Sequence, residues 1–148
     1  MRKIALFMGE YGAYQIELSN AIIHSAARDH VDVQIFANSG SYGSNLFHAL
    51  GEKTIIRIPK LSEYDGIILA SDTFGISGMY EELADLILKE ANCPVVCIRK
   101  GDERFYNVLI DNYHAMRTMV EHFITVHGYQ RICFMTGIMS LKDAWDRR

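Results

Sequence analysis

Proline is nearly missing from this chain, and what else is scarce narrows its class further. Two prolines and eleven glycines among 148 residues, beside 49% apolar residues, exclude disorder and leave enough apolar material for one ordinary core or slightly more. The three cysteines are an odd number, so no disulfide framework is implied. Cys97 and Cys133 lie inside apolar runs and Cys93 stands just before Pro94, which reads as free, partly or fully buried thiols. Basic residues are not in excess. With 15 Lys and Arg against 18 Asp and Glu the net charge is −3, which gives no broad basic face for nucleic acid. The apolar run after Met1-Arg2-Lys3, IALFMG, is too short for a membrane span or the apolar region of a signal peptide. Cytoplasm is the default location.

Catalytic and cofactor patterns are scarce too. No serine sits in a GxSxG elbow. The histidines His24, His30, His48, His114, His122 and His127 never pair at i, i+4, and His-Glu-x-x-His does not occur, so no metal site is expected. The turn after the first apolar run, GEYGAY, has neither GxGxxG spacing nor a Walker ending, so its glycines serve the turn and no cofactor is implied.

What is present is organised around Asn107 to Gly137. Val108, Leu109 and Ile110 form a short apolar strand that stops at Asp111-Asn112, two side chains able to accept from the free N–H groups of a helix start. Met116, Met119, Val120, Phe123, Ile124 and His127 then recur at helical spacing, and Gly128 supplies the left-handed stop. Ile132 to Met135 runs apolar without alternation, as a strand covered on both faces does. The unit reads β-α-β.

The same alternation runs upstream. Lys3 to Met8 is a central strand, and a helix follows from about Tyr14 to Arg28. Leu18, Ala21, Ile22, Ser25 and Ala26 make its sheet-facing side, while Ile16, Asn20, Ile23 and Ala27 share a second stripe that fits either solvent or a partner subunit. Val31 to Phe36 alternates as a more exposed strand, and Asn45 to Leu50 is helix-like. Thr54 to Ile58, stopped by Pro59, suggests an added edge strand. Gly66 to Ala70 and Pro94 to Arg99 are buried strands flanking a helix with Ser77 as its cap and Asn92 as its stop. Such spacing predicts an α/β fold with a doubly wound, mainly parallel sheet of flavodoxin-like topology.

Ligands in open α/β sheets gather at the C-terminal strand ends, here Glu10 to Tyr14, Ser71 to Phe74, Arg99 to Asp102 and Asp111-Asn112. Hydrogen-bonding groups beside Tyr11, Tyr14, Phe74, Phe105 and Tyr106 suit a small, polar, sugar-like molecule. Ser71 and Asn112 read first as turn caps and second as ligand contacts.

The phrases VLIDN, EHFITVHG and RICFMTG, with YDGIILAS, CPVVCIRK and the final KDAWDRR, resemble the effector-binding domains of LacI/GalR-type regulators, which share the type I periplasmic-binding-protein fold. The resemblance covers most of the chain, loosely over 38–63. It implies an N-terminal lobe over 1–110 and the crossover and incomplete start of a second lobe over 111–148. To the ligand candidates Tyr11 and Ser71 at the strand ends it adds that Tyr14, Asp72 and Asp111 belong to the site, with Arg147 or Arg148 as a clasping arginine. Pairing as a homodimer through Ile16, Asn20, Ile23 and Ala27 follows from the same likeness, as does a role in sensing without chemistry of its own. No DNA-binding segment precedes Lys3 in this sequence, so the sensor of a signalling protein with a C-terminal output, such as a diguanylate cyclase, stands beside a transcriptional regulator. A flavodoxin-like enzyme and a phospho-acceptor receiver domain are the alternatives.

Overall fold

The computed structural model describes residues 1–39, 45–135 and 142–146. It divides into two compact units, Met1–Val108 and Leu109–Arg148.

The first unit is a parallel sheet of five strands: β1 (Arg2–Met8), β2 (Val31–Ala37), β3 (Gly66–Ala70), β4 (Val95–Ile98) and β5 (Tyr106–Val108), in the order β2-β1-β3-β4-β5. β1 is an interior strand, with Leu6 opposite Ile35 on one side and Ile68 on the other. Its alternate residues feed two cores. Ala5 and Phe7 join Ile56, Leu61, Ile67, Leu69, Met79, Leu83, Ile87 and Cys97 under the helices α2 (Leu46–Lys53) and α3 (Met79–Glu90). Leu6 and Met8 pack with Ala70, Leu18 and Ile22 beneath α1 (Ala13–Arg28) on the other face. Covered on both sides, β1 must be apolar throughout, as its sequence is. The doubly wound α/β fold is therefore present.

Several local expectations are corrected. Thr54 to Ile58 is not an edge strand: Thr54–Arg57 is a 3₁₀ turn that drops Ile56 into the core at 0% exposure. An edge strand there would leave one face in water, whereas the turn buries its central isoleucine completely. Ser77 does not cap α3. The N-cap is Gly78 at φ 71°, a left-handed residue that lets buried Ile76 point inward before Met79 starts the helix. On α1 the sheet-facing stripe is Leu18, Ser19, Ile22 and Ala26, while Ala21 and Ser25 are exposed. β5 ends at Val108, and Leu109 and Ile110, expected to complete it, are half-exposed outside any strand.

In the second unit α4 (Asn112–Thr125) starts at Asp111 and ends before Gly128, whose φ is 67°. That is the helix start and stop read from the sequence. Residues 131–135, by contrast, form no strand, and Ile132, Phe134 and Met135 are exposed. An apolar run becomes a strand only when a neighbour accepts its ladder bonds, and among the described residues none does. A five-residue helix, α5 (Lys142–Asp146), follows.

Candidate functional site

The sheet order reverses between β1 and β3, and the turns after these two strands are pressed together. Gly9 N donates to Thr73 Oγ1 at 2.7 Å, and Thr73 Oγ1 donates to Ala70 O at 2.6 Å. Glu10, at φ 29°, donates its backbone N–H to Asn38 Oδ1 at 2.8 Å, and Gly12 N bonds Glu10 O. These loop N–H groups are committed internally, so none of the three remains to grip a phosphate.

Across this junction lies a group of three side chains. Arg99, the first residue after β4, sits at φ 75°. Its guanidinium meets Asp72 Oδ2 at 3.0 Å and lies 5.2 Å from the centre of the Tyr14 ring. The Arg99 and Asp72 side chains are each about a quarter exposed, and Tyr14 is 41% exposed. Three strand ends thus converge: Tyr14 from the first turn of α1, which follows β1, Asp72 from the β3 turn and Arg99 from the β4 turn. They present a fork of N–H donors, a carboxylate acceptor and an aromatic face. Such a set bonds the edge of a polyol and stacks on its apolar face.

No family model matches the sequence, and no curated protein matches it. Solved structures do. The LacI transcriptional regulator from Lactobacillus brevis aligns with TM-score 0.68 and 20% identity, over 99% of this chain and 52% of that one. An ABC sugar transporter subunit from Rhodobacter sphaeroides aligns with TM-score 0.67 and 14% identity, over 99% and 50%. The periplasmic binding protein of the arabinose ABC transporter from Shewanella sp. ANA-3, bound to alpha and beta-L-arabinofuranose, gives 0.65 and 15%, over 98% and 47%. The fold is that of a type I periplasmic-binding-protein domain. The chain spans about half the length of these three proteins.

With this fold, the residues singled out by sequence fall in different places. Tyr14 and Asp72 come together, and the partner that joins them, Arg99, was marked only as a strand end. Tyr11 is half-exposed with its hydroxyl 3.3 Å from Ser19 Oγ on α1. Ser71 is 4% exposed; its hydroxyl donates to Ile98 O at 2.8 Å and accepts from Lys100 N at 3.3 Å. It laces the ends of β3 and β4. Asp111 belongs to the second unit, where its carboxylate accepts from His114 N at 2.9 Å as the N-cap of α4. Asp111→Ala should cost α4 about 1 kcal/mol of local stability, visible as lost helicity by circular dichroism. Arg147 and Arg148 lie outside the described residues. Ile16, Asn20, Ile23 and Ala27 are all exposed on α1.

A second polar cluster stiffens the β4–β5 loop. Asp102 accepts from the Arg104 guanidinium at 2.6 Å and from the Tyr80 hydroxyl at 2.6 Å, while Arg104 also reaches Glu81 at 2.9 Å. Asn107 ties the loop shut, accepting from Asp102 N at 2.8 Å and donating to Asp102 O at 2.8 Å. Arg104 first, then Tyr80, hold the Asp102 carboxyl well below the usual carboxylate range, and burial pushes the Tyr80 phenol well above its own. A lowered carboxyl contributes stability that is complete above its unfolded value, near 3.8, and is lost as pH falls through the folded one. The amides of residues 99–107 should therefore lose hydrogen-exchange protection below about pH 4. Asp102→Asn should show weaker protection at neutral pH and a flatter dependence on acid.

Proposed function

We propose that this chain is the small-molecule-sensing part of a LacI/GalR-like regulator, or of a signalling protein with a C-terminal output such as a diguanylate cyclase, and that its effector is a neutral sugar-like molecule. The observation that carries the reading is the Tyr14–Asp72–Arg99 group at the switch point of the sheet. Two proteins with this fold are described as an ABC sugar transporter subunit and as an arabinose-binding component. Asp72 and Arg99 cancel each other's charge, which favours hydroxyl groups over a phosphate or an acid. In this reading the chain binds and does no chemistry, residues 1–110 are the first lobe and 111–148 begin the second. A phospho-acceptor reading is weaker, because a guanidinium lies against Asp72 where a receiver aspartate needs a divalent cation.

The test is titration of the ¹⁵N-labelled chain with pentoses, hexoses and nucleosides into the millimolar range. Shifts clustered at residues 10–14, 71–74 and 99–100 for at least one sugar, and lost in Tyr14→Ala, support the reading. Shifts for no sugar, or shifts centred elsewhere, overturn it.

We also propose that the α1 stripe of Ile16, Asn20, Ile23 and Ala27 pairs two copies as a homodimer. Ile23→Asp places a charge in that stripe and should leave a monomer by light scattering. A chain that is already monomeric at high concentration contradicts it.

A further inference from the structure

No two histidines are spaced i, i+4 in the sequence, yet two imidazoles meet at i, i+5 around the end of α4. His122 and His127 place their Nε2 atoms 3.1 Å apart, with ring centres 4.9 Å apart and planes at 77°. The turn that achieves this is held by its backbone. Val126 N bonds His122 O at 2.9 Å, Gly128 N bonds Ile124 O at 3.2 Å, and Tyr129 N bonds Phe123 O at 3.1 Å. Gly128 at φ 67° reverses the chain so that Tyr129 stacks on the His127 ring, with centres 5.4 Å apart and planes at 18°. Phe123 packs against both rings, 6.4 Å from His127 and 6.1 Å from Tyr129. His127 is thereby oriented by an aromatic pair and a glycine stop, while His122 is fixed by the helix.

We propose that His122 and His127 form a two-nitrogen chelate for a borderline divalent transition metal ion, with copper(II) held most tightly. Metal–imidazole bonds of about 2.0–2.1 Å span about 2.9 Å between nitrogens at a right angle and about 3.3 Å at the tetrahedral angle. The Nε2 separation of 3.1 Å falls between these, so a metal needs the rings only to turn their lone pairs toward it and not to move apart or together. In the metal-free pair one Nε2–H donates to the other nitrogen; when the ion binds, that ring exchanges its proton through water from Nε2 to Nδ1, so both rings ligate as neutral imidazoles with no net proton released. Imidazole nitrogen suits zinc, nickel and copper, and the Irving–Williams order puts copper(II) first. Among the described residues no third histidine, cysteine or acid joins the pair, so water completes the shell and the site stays open. Both histidines are exposed, which gives the ion direct entry.

The test is titration of the whole ¹⁵N-labelled chain with copper(II) chloride in a non-coordinating buffer at neutral pH. Paramagnetic broadening should begin at residues 121–130 at substoichiometric metal, before it reaches His24, His30, His48 or His114. Copper(II) affinity by isothermal titration should fall ~10²-fold in His122→Gln and in His127→Gln, because each leaves a single tethered imidazole in place of a chelate. His24→Gln should leave it unchanged. Broadening that begins elsewhere, or an affinity that both glutamine variants retain, overturns the proposal.

Discussion

Replacing Gly9 with alanine should cost about 3 kcal/mol or more of folding stability, the largest effect expected from adding one methyl group to this chain. A Cβ built on Gly9 overlaps the Thr73 carbonyl oxygen, and it comes within 2.6 Å of the Thr73 carbonyl carbon and 2.8 Å of Phe74 Cα. All of these are backbone atoms, so no side chain can swing away to make room. Relief requires the β1 and β3 turns to separate, which breaks the Gly9 N to Thr73 Oγ1 bond and carries Asp72 away from Arg99. The same methyl at Gly51 meets nothing within 4 Å, so Gly51→Ala, in the interior of α2, should be neutral or slightly stabilising. Urea denaturation of the two variants side by side reads the contrast. A Gly9→Ala protein within about 0.5 kcal/mol of the parent would mean that the two turns are not in contact.

How far this architecture could be read from the residues follows from how local each cause is. The apolar runs of β1, β3 and β4 announce strands because burial on both faces leaves no place for polar residues, and that signal is carried by each segment alone. Asp111 and Gly128 mark the ends of α4 because capping and left-handed stops act within a turn. The failures share the opposite property. Thr54 to Ile58 has strand-like composition, but the room available to Ile56 beneath the sheet decides its form, and that room is made by Leu61, Phe7 and Met79. Ser77 looks like a cap, but the need to bury Ile76 moves the helix start to Gly78. Ile132 to Met135 has the composition of a strand and lacks the neighbour that would make it one. The candidate site divides in the same way. Tyr14 and Asp72 were legible as polar or aromatic residues at strand ends. Arg99 stood at a strand end too, but that it joins the other two depends on a backbone angle that no side-chain pattern encodes. The pair of His122 and His127 needs a helix stop between them, so a search at helical spacing passes over it.

Arg99 should show the other large effect, and it should separate strain from binding. A non-glycine residue at φ 75° costs about 1–2 kcal/mol relative to ordinary backbone, and such costs persist where the surroundings impose them. Here the imposing contacts are the Arg99 N–H to Val108 O bond at 2.8 Å, the Asp72 ion pair at 3.0 Å and the Tyr14 ring. Arg99→Ala loses the last two and keeps the strain. Arg99→Gly loses them as well but releases the strain, so it should be the more stable variant by about 1 kcal/mol, the reverse of the usual order for these two residues. For ligand the two variants should be alike. Each removes the charged donors that a polyol hydroxyl would accept from, worth about 1.5–3 kcal/mol for each such bond, so sugar affinity should fall ~10- to 100-fold or beyond detection in both. Denaturant midpoints for the pair, and titration of whichever sugar shifts the Tyr14 and Asp72 amides in the parent chain, give the two readouts. If alanine proves more stable than glycine, the left-handed turn is not strained. If both variants bind sugar as the parent does, the guanidinium is a strut for Asp72 and the ligand lies elsewhere.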